Sequence, residues 1–101
     1  MSSKILSVDD SGTMRRIIGR TVQMLGYDLV EATNGVEALA VMETEHQSLA
    51  MVVLDVNMPE MDGFETLRRI KSDTRFSSIP VMMLTTESER AIRRFFHQHN
   101  M

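Results

Sequence analysis

Asp9 and Asp10 close the apolar run KILSV, Asp55 closes the run AMVVL, and Thr85 closes the run VMML. A single aspartate after an apolar run is an ordinary turn or helix-capping residue. Here the local capping duties are filled by neighbours. Ser11 can cap the segment that follows Asp10, Asp62 and Glu65 form a capping box, and Thr86 with Glu89 forms another. Asp9, Asp10, Asp55 and Thr85 are left over. Carboxylates gathered at one place repel one another unless a cation sits among them. A few hard oxygen donors suit Mg²⁺, which keeps several of its waters. Such an ion neutralises an incoming phosphoryl group while a carboxylate attacks phosphorus, and a nearby hydroxyl can bond a phosphoryl oxygen.

The elements that would bring these residues together are legible in the hydrophobic period. Residues 4–8 read as a strand. From Met14 the apolar positions Ile17, Ile18, Val22 and Leu25 form a helical stripe, ended by Gly26. Residues 27–31 alternate as a half-exposed strand, and Asn34 with Glu37 opens a helix through Val36, Leu39 and Ala40. Residues 50–54 are apolar throughout, the mark of a parallel strand buried on both faces. Asp62 then opens a helix with Phe64, Leu67 and Ile70 inward. After a polar connection at 72–79, residues 81–84 give a second fully apolar strand, and a last helix follows with Ile92, Phe95 and Phe96 inward. Alternating strands and helices imply a doubly wound parallel sheet with right-handed crossovers. In such folds the site lies beyond the carboxyl ends of the strands, where strand order reverses.

Composition narrows the partners. The formal charge of −3 carries no basic footprint for nucleic acid or an anionic membrane. With 43% apolar and 25% charged residues the chain is globular in type, and a chain without cysteine has no thiolate metal site or thiol nucleophile. No apolar run reaches the roughly 18 residues that span a bilayer. One domain over residues 1–101, soluble and cytoplasmic, is expected. His97 and His99 lie two apart, the wrong spacing for one helix face, and His46 sits near a helix end. The methionines read as core filling, and Arg15 and Arg16 as a solvated helix face or a docking pair for an acidic partner.

The motifs Asp9-Asp10-Ser-Gly-Thr-Met-Arg-Arg, Val-Val-Leu-Asp55-Val-Asn-Met-Pro59-Glu-Met-Asp-Gly63 and Pro80-Val-Met-Met-Leu-Thr85 closely resemble those of bacterial response-regulator receiver domains, of the CheY-like chemotaxis type. The resemblance implies a flavodoxin-like α/β fold, cut to four βα units with strand order 2-1-3-4. It implies that Asp55 accepts phosphate from a sensor histidine kinase. It further implies Mg²⁺ bound by Asp10, Asp55 and the backbone carbonyl of Asn57, with Asp9 orienting the metal's waters and Thr85 as the switch residue. The 101 residues stop before the family's fifth strand, its lysine, its switch aromatic and its fifth helix. Impaired phosphotransfer is therefore expected, together with a homodimer formed through the fourth strand, the last helix or a segment exchanged at 72–78. Two alternatives stand beside a phosphoacceptor. One is a protein-interaction or dimerisation module without efficient phosphotransfer. The other is a Mg²⁺-dependent phosphohydrolase, which would need an acid/base where Asn57 stands and a substrate cap the chain has little length for.

Overall fold

Short apolar runs pair side by side in the computed structural model, which describes residues 3–56, 58 and 61–84. The order along the chain is β1 (Lys4–Val8), α1 (Gly12–Met24), β2 (Asp28–Ala32), α2 (Gly35–Glu45), a 3-10 turn at His46–Ser48, β3 (Leu49–Asp55), α3 (Gly63–Ser72) and β4 (Val81–Leu84). Every pairing is parallel, and the sheet runs β2-β1-β3-β4. The α/β doubly wound fold and the 2-1-3-4 order are thus as expected. Strand β2, read as 27–31, is shifted by one residue to Asp28–Ala32, and β3, read as 50–54, extends one residue further at each end, from Leu49 to Asp55.

Register decides what meets at the carboxyl end. Val8 stands opposite both Ala32 and Leu54, and Asp55 stands opposite Leu84. Asp9 and Asp55 therefore leave adjacent strands at the same level. From β1 the chain crosses to β2 on one side and later returns to β3 on the other, so the order reverses between these two strand ends.

Both sheet faces are apolar, which explains the unbroken hydrophobic runs. Leu6, Val8, Val52 and Leu54 pack with Ala38, Met42, Ile70 and Phe76 under α2 and α3. Ile5, Val53 and Leu84 pack with Ile18 and Val22 under α1. The Ser7 hydroxyl is fully buried and has no hydrogen-bond partner among the described residues, a cost of about 1–3 kcal/mol for such a group.

Side-chain caps start all three α-helices among the described residues. Ser11 Oγ accepts from the Met14 N–H at 3.2 Å, Asn34 Oδ1 from the Glu37 N–H at 2.8 Å, and Asp62 Oδ1 from the Glu65 N–H at 2.9 Å. Gly26, at φ +86°, turns the chain from α1 into β2, a conformation that glycine adopts without strain. The reciprocal half of the Asp62 box is absent: Glu65 instead pairs with Arg68 at 2.6 Å and Arg69 at 2.9 Å.

Four core expectations are corrected. Phe64 and Val36 point outward, at 64% and 52% exposure, while Gly35, Gly63 and Thr66 face inward. At these helix starts two helices and a strand end approach so closely that only small residues fit between them. Ala40 is exposed and Ala38 takes the inward place. Met24 is solvent-exposed, unlike Met42, which is fully buried. The connection at 72–79 is also less polar in effect than in composition, since Phe76 and Ile79 are buried anchors.

Candidate metal centre

Asp9, Asp10 and Asp55 form one acidic cluster, with a carboxylate oxygen from each lying within 4.8 Å of the other two. The level ends of β1 and β3 bring Asp9 and Asp55 together, and the β1–α1 turn adds Asp10. Asp9 and Asp55 are buried and Asp10 is exposed, so the cluster opens to solvent on one side.

Asp9 is held through its N–H, its carboxylate and its carbonyl. Its N–H donates to the Ala32 carbonyl at 3.1 Å, and its Oδ1 accepts from the Ser11 N–H at 2.8 Å. Its own carbonyl accepts from Arg15 Nη1. Asp9 thus has a local structural duty that the sequence reading did not assign to it. Burial pushes the Asp9 carboxyl from 3.8 up to about 6. The Ser11 N–H and the Arg15 guanidinium oppose that rise, while the neighbouring carboxylates of Asp55 and Asp10 add to it. A divalent cation would relieve the same repulsion, so this donor set fits hard-cation binding.

The sign of the pH effect follows. A carboxyl raised in the folded state favours folding below its unfolded value, and that contribution is lost as pH climbs through about 6. Metal-free protein should therefore gain stability from Asp9 on acidification from neutral pH toward about 4. Mg²⁺ affinity should move the other way, falling below pH of about 6 as protons compete for the carboxylates. Calorimetric titration with Mg²⁺ on either side of that pH checks both the direction and the midpoint; an affinity flat across it contradicts the assignment.

Neither lysine of the chain reaches this end of the sheet. Lys4, at the start of β1, pairs with Glu45 at 2.8 Å. Lys71 donates to the Ser77 and Ile79 carbonyls at 3.2 and 3.1 Å, just ahead of β4. Of the residues singled out from sequence, Asn57, Pro59, Thr85, Thr86, Glu89, Ile92, Phe95, Phe96, His97 and His99 lie outside the described residues, as does the expected last helix. His46 packs against Phe76 with ring centroids 5.5 Å apart, away from the acidic cluster.

A parallel sheet in this order, with carboxylates gathered at its switch point, defines a doubly wound α/β domain with a candidate divalent-cation site. Residues 5–101 match the response regulator receiver domain family, and the chain belongs to it. It is 46% identical over 89 residues to the chemotaxis protein CheY1 of Helicobacter pylori, covering 87% of this chain and 71% of that protein. Among solved structures it resembles the chemotaxis response regulator CheY4 of Vibrio cholerae, at 34% identity and a TM-score of 0.78, over 93% of this chain and 77% of that one. It also resembles the Mn²⁺-bound form of the response regulator Rcp1, at 27% identity and a TM-score of 0.73, over 96% and 76% of the two chains.

Among the described residues, no helix is long and apolar enough to cross a membrane.

Proposed function

We propose that this receiver domain takes a phosphoryl group from a sensor histidine kinase onto Asp55, with Mg²⁺ held by the acidic cluster. The meeting of Asp9, Asp10 and Asp55 within 4.8 Å at the switch point carries the reading. One Asp55 carboxylate oxygen bonds to phosphorus as the bond from phosphorus to the donor breaks, and the leaving electron pair stays on the donor. When bound, Mg²⁺ supplies the positive charge that lets two anions meet. Asp10 and Asp55 would hold it directly, with the Asn57 carbonyl, while Asp9 would orient its waters and the Thr85 hydroxyl would bond the phosphoryl group. The Mn²⁺-bound state of the Rcp1 relative supports a divalent ion at such a domain. In this reading the domain is a stoichiometric phosphoacceptor in the cytoplasm rather than an enzyme.

Uptake by the 101-residue chain should be slow, because Lys4 and Lys71 are both committed at the far end of the sheet. A charge-stabilising donor at such a site is worth about 10²–10³ in rate, and neither lysine supplies one there. Intact mass after incubation with Mg²⁺ and a small acyl phosphate tests the proposal: one phosphoryl increment supports it, and an unchanged mass overturns it.

A second reading, as a self-associating interaction module, draws on β4. Met82 and Met83 lie on opposite faces of that strand and are only half-buried. Pairing of β4 with its copy would bury them further. Exchange of the segment after 72 is the less favoured geometry, since buried Phe76 and the Arg75–Glu43 pair at 2.6 Å tie that connection down. Light scattering at micromolar concentration should show a dimer that Met82→Glu dissociates; a folded monomer contradicts this reading.

A further inference from the structure

We propose that Arg15 is a positioning residue that fixes the Asp9–Asp10 peptide and thereby aims the Asp10 carboxylate into the acidic cluster. The inference rests on the metal reading of that cluster. Arg15 lies one turn into α1 and folds back over the loop it has just left. Its Nη1 donates to the Asp9 carbonyl, its Nε lies 4.0 Å from Glu31 on β2, and its side chain is 20% exposed. Its backbone N–H donates to the Ser11 carbonyl at 3.1 Å. The oxygen it grips belongs to the peptide joining Asp9 to Asp10. On the other side of Asp9, the N–H is held by Ala32 and the carboxylate by Ser11. With both peptides of Asp9 fixed, the direction in which Asp10 leaves the loop is fixed too. Asp10 is the exposed member of the cluster, so burial does little to orient it.

A purely electrostatic role for Arg15 makes the opposite prediction. A guanidinium beside a cation site repels the cation, so removing it would tighten Mg²⁺ binding. Positioning predicts that removing it weakens binding. The sign of the change separates the two. Arg16 is exposed on the same turn and supplies a control with the same loss of charge.

The experiment is Mg²⁺ titration of the wild-type chain, Arg15→Ala, Arg15→Lys and Arg16→Ala by NMR. Circular dichroism establishes that each variant is folded. Arg15→Ala should weaken Mg²⁺ binding about tenfold, the low end of the range for groups that orient metal ligands. Arg15→Lys, which keeps a donor within reach of the carbonyl, should recover most of that loss, and Arg16→Ala should bind as well as wild type or slightly better. In metal-free Arg15→Ala the Asp10 amide signal should shift and broaden. Equal or tighter Mg²⁺ binding by folded Arg15→Ala overturns the inference; should that variant not fold, an unweakened Arg15→Gln does the same. If wild type itself shows no Mg²⁺ response the metal reading fails, and an Asp10 amide unmoved by the substitution then overturns the clamp as well.

Discussion

Asp55→Asn should abolish the phosphoryl mass increment while leaving the fold intact. The substitution keeps size and shape but replaces the attacking oxygen with a neutral amide that is no nucleophile at neutral pH. It also removes one of three carboxylates crowded within 4.8 Å, so the metal-free variant should be more stable than wild type rather than less. Burial of Asp9 remains, but the push from Asp55 disappears, and the Asp9 carboxyl should titrate below about 6. Mg²⁺ affinity should fall by about tenfold or more, since a hard oxygen donor has gone. Asp10→Ala should weaken Mg²⁺ binding comparably, yet it should slow phosphoryl uptake rather than abolish it. The pair of variants separates nucleophile from ligand. A full increment on Asp55→Asn, mapped to another residue, would sink the assignment of Asp55.

The strand ends were legible because the sheet is buried on both faces. AMVVL and VMML are apolar without alternation, KILSV is interrupted only by Lys4 at its start and Ser7, and where each run stops an acid or threonine follows. Parallel pairing with level ends then brings Asp9 beside Asp55, a consequence of topology and register rather than of local sequence. The helix starts were less legible. A stripe of large apolar residues is the usual sign of an inward face, but that rule fails where elements nearly touch. At Gly35 an added Cβ would lie 2.0 Å from Thr66 Oγ1, so α2 and α3 meet through a glycine and a threonine while Val36 and Phe64 face solvent. Phe76 escaped notice because a lone aromatic in a polar run has no periodicity. It is buried in the core, and the Arg75 guanidinium caps it, 4.7 Å from its ring centre. Arg15 had no signal at all, since an arginine on the first turn of a helix reads as solvated whether or not it curls back onto a carbonyl.

Gly63→Ala should be among the most damaging single substitutions in the chain, and the damage should reach Asp55 directly. A Cβ at residue 63 would lie 2.3 Å from the Asp55 carbonyl oxygen and 2.8 Å from the Val56 Cα. These are backbone atoms at the end of a central strand, so no flexible side chain can move aside. The Gly63 N–H also donates to the Val56 carbonyl at 3.0 Å, which ties the first turn of α3 to that strand end. Relief requires α3 to lift away or the Asp55–Val56 peptide to rotate. Lifting α3 pulls Ile70 and Thr66, both fully buried, out of their packing. Rotating the peptide breaks the bond from the Val56 N–H to the Leu84 carbonyl at 2.9 Å and turns the Asp55 carboxylate out of the cluster. Overpacking of this kind costs about 1–3 kcal/mol and occasionally more, and contact with rigid backbone places this site at the upper end. Thermal unfolding should show a large drop in midpoint for Gly63→Ala. At a temperature where the variant is still folded, Mg²⁺ affinity should also be reduced, because the strand end that presents Asp55 has moved. Gly12→Ala makes the contrast: among the described residues its Cβ would meet only Arg15 Nη2, at 3.9 Å, and its effect on stability should be small. A Gly63→Ala protein with wild-type stability would mean that α3 does not press on Asp55 as described.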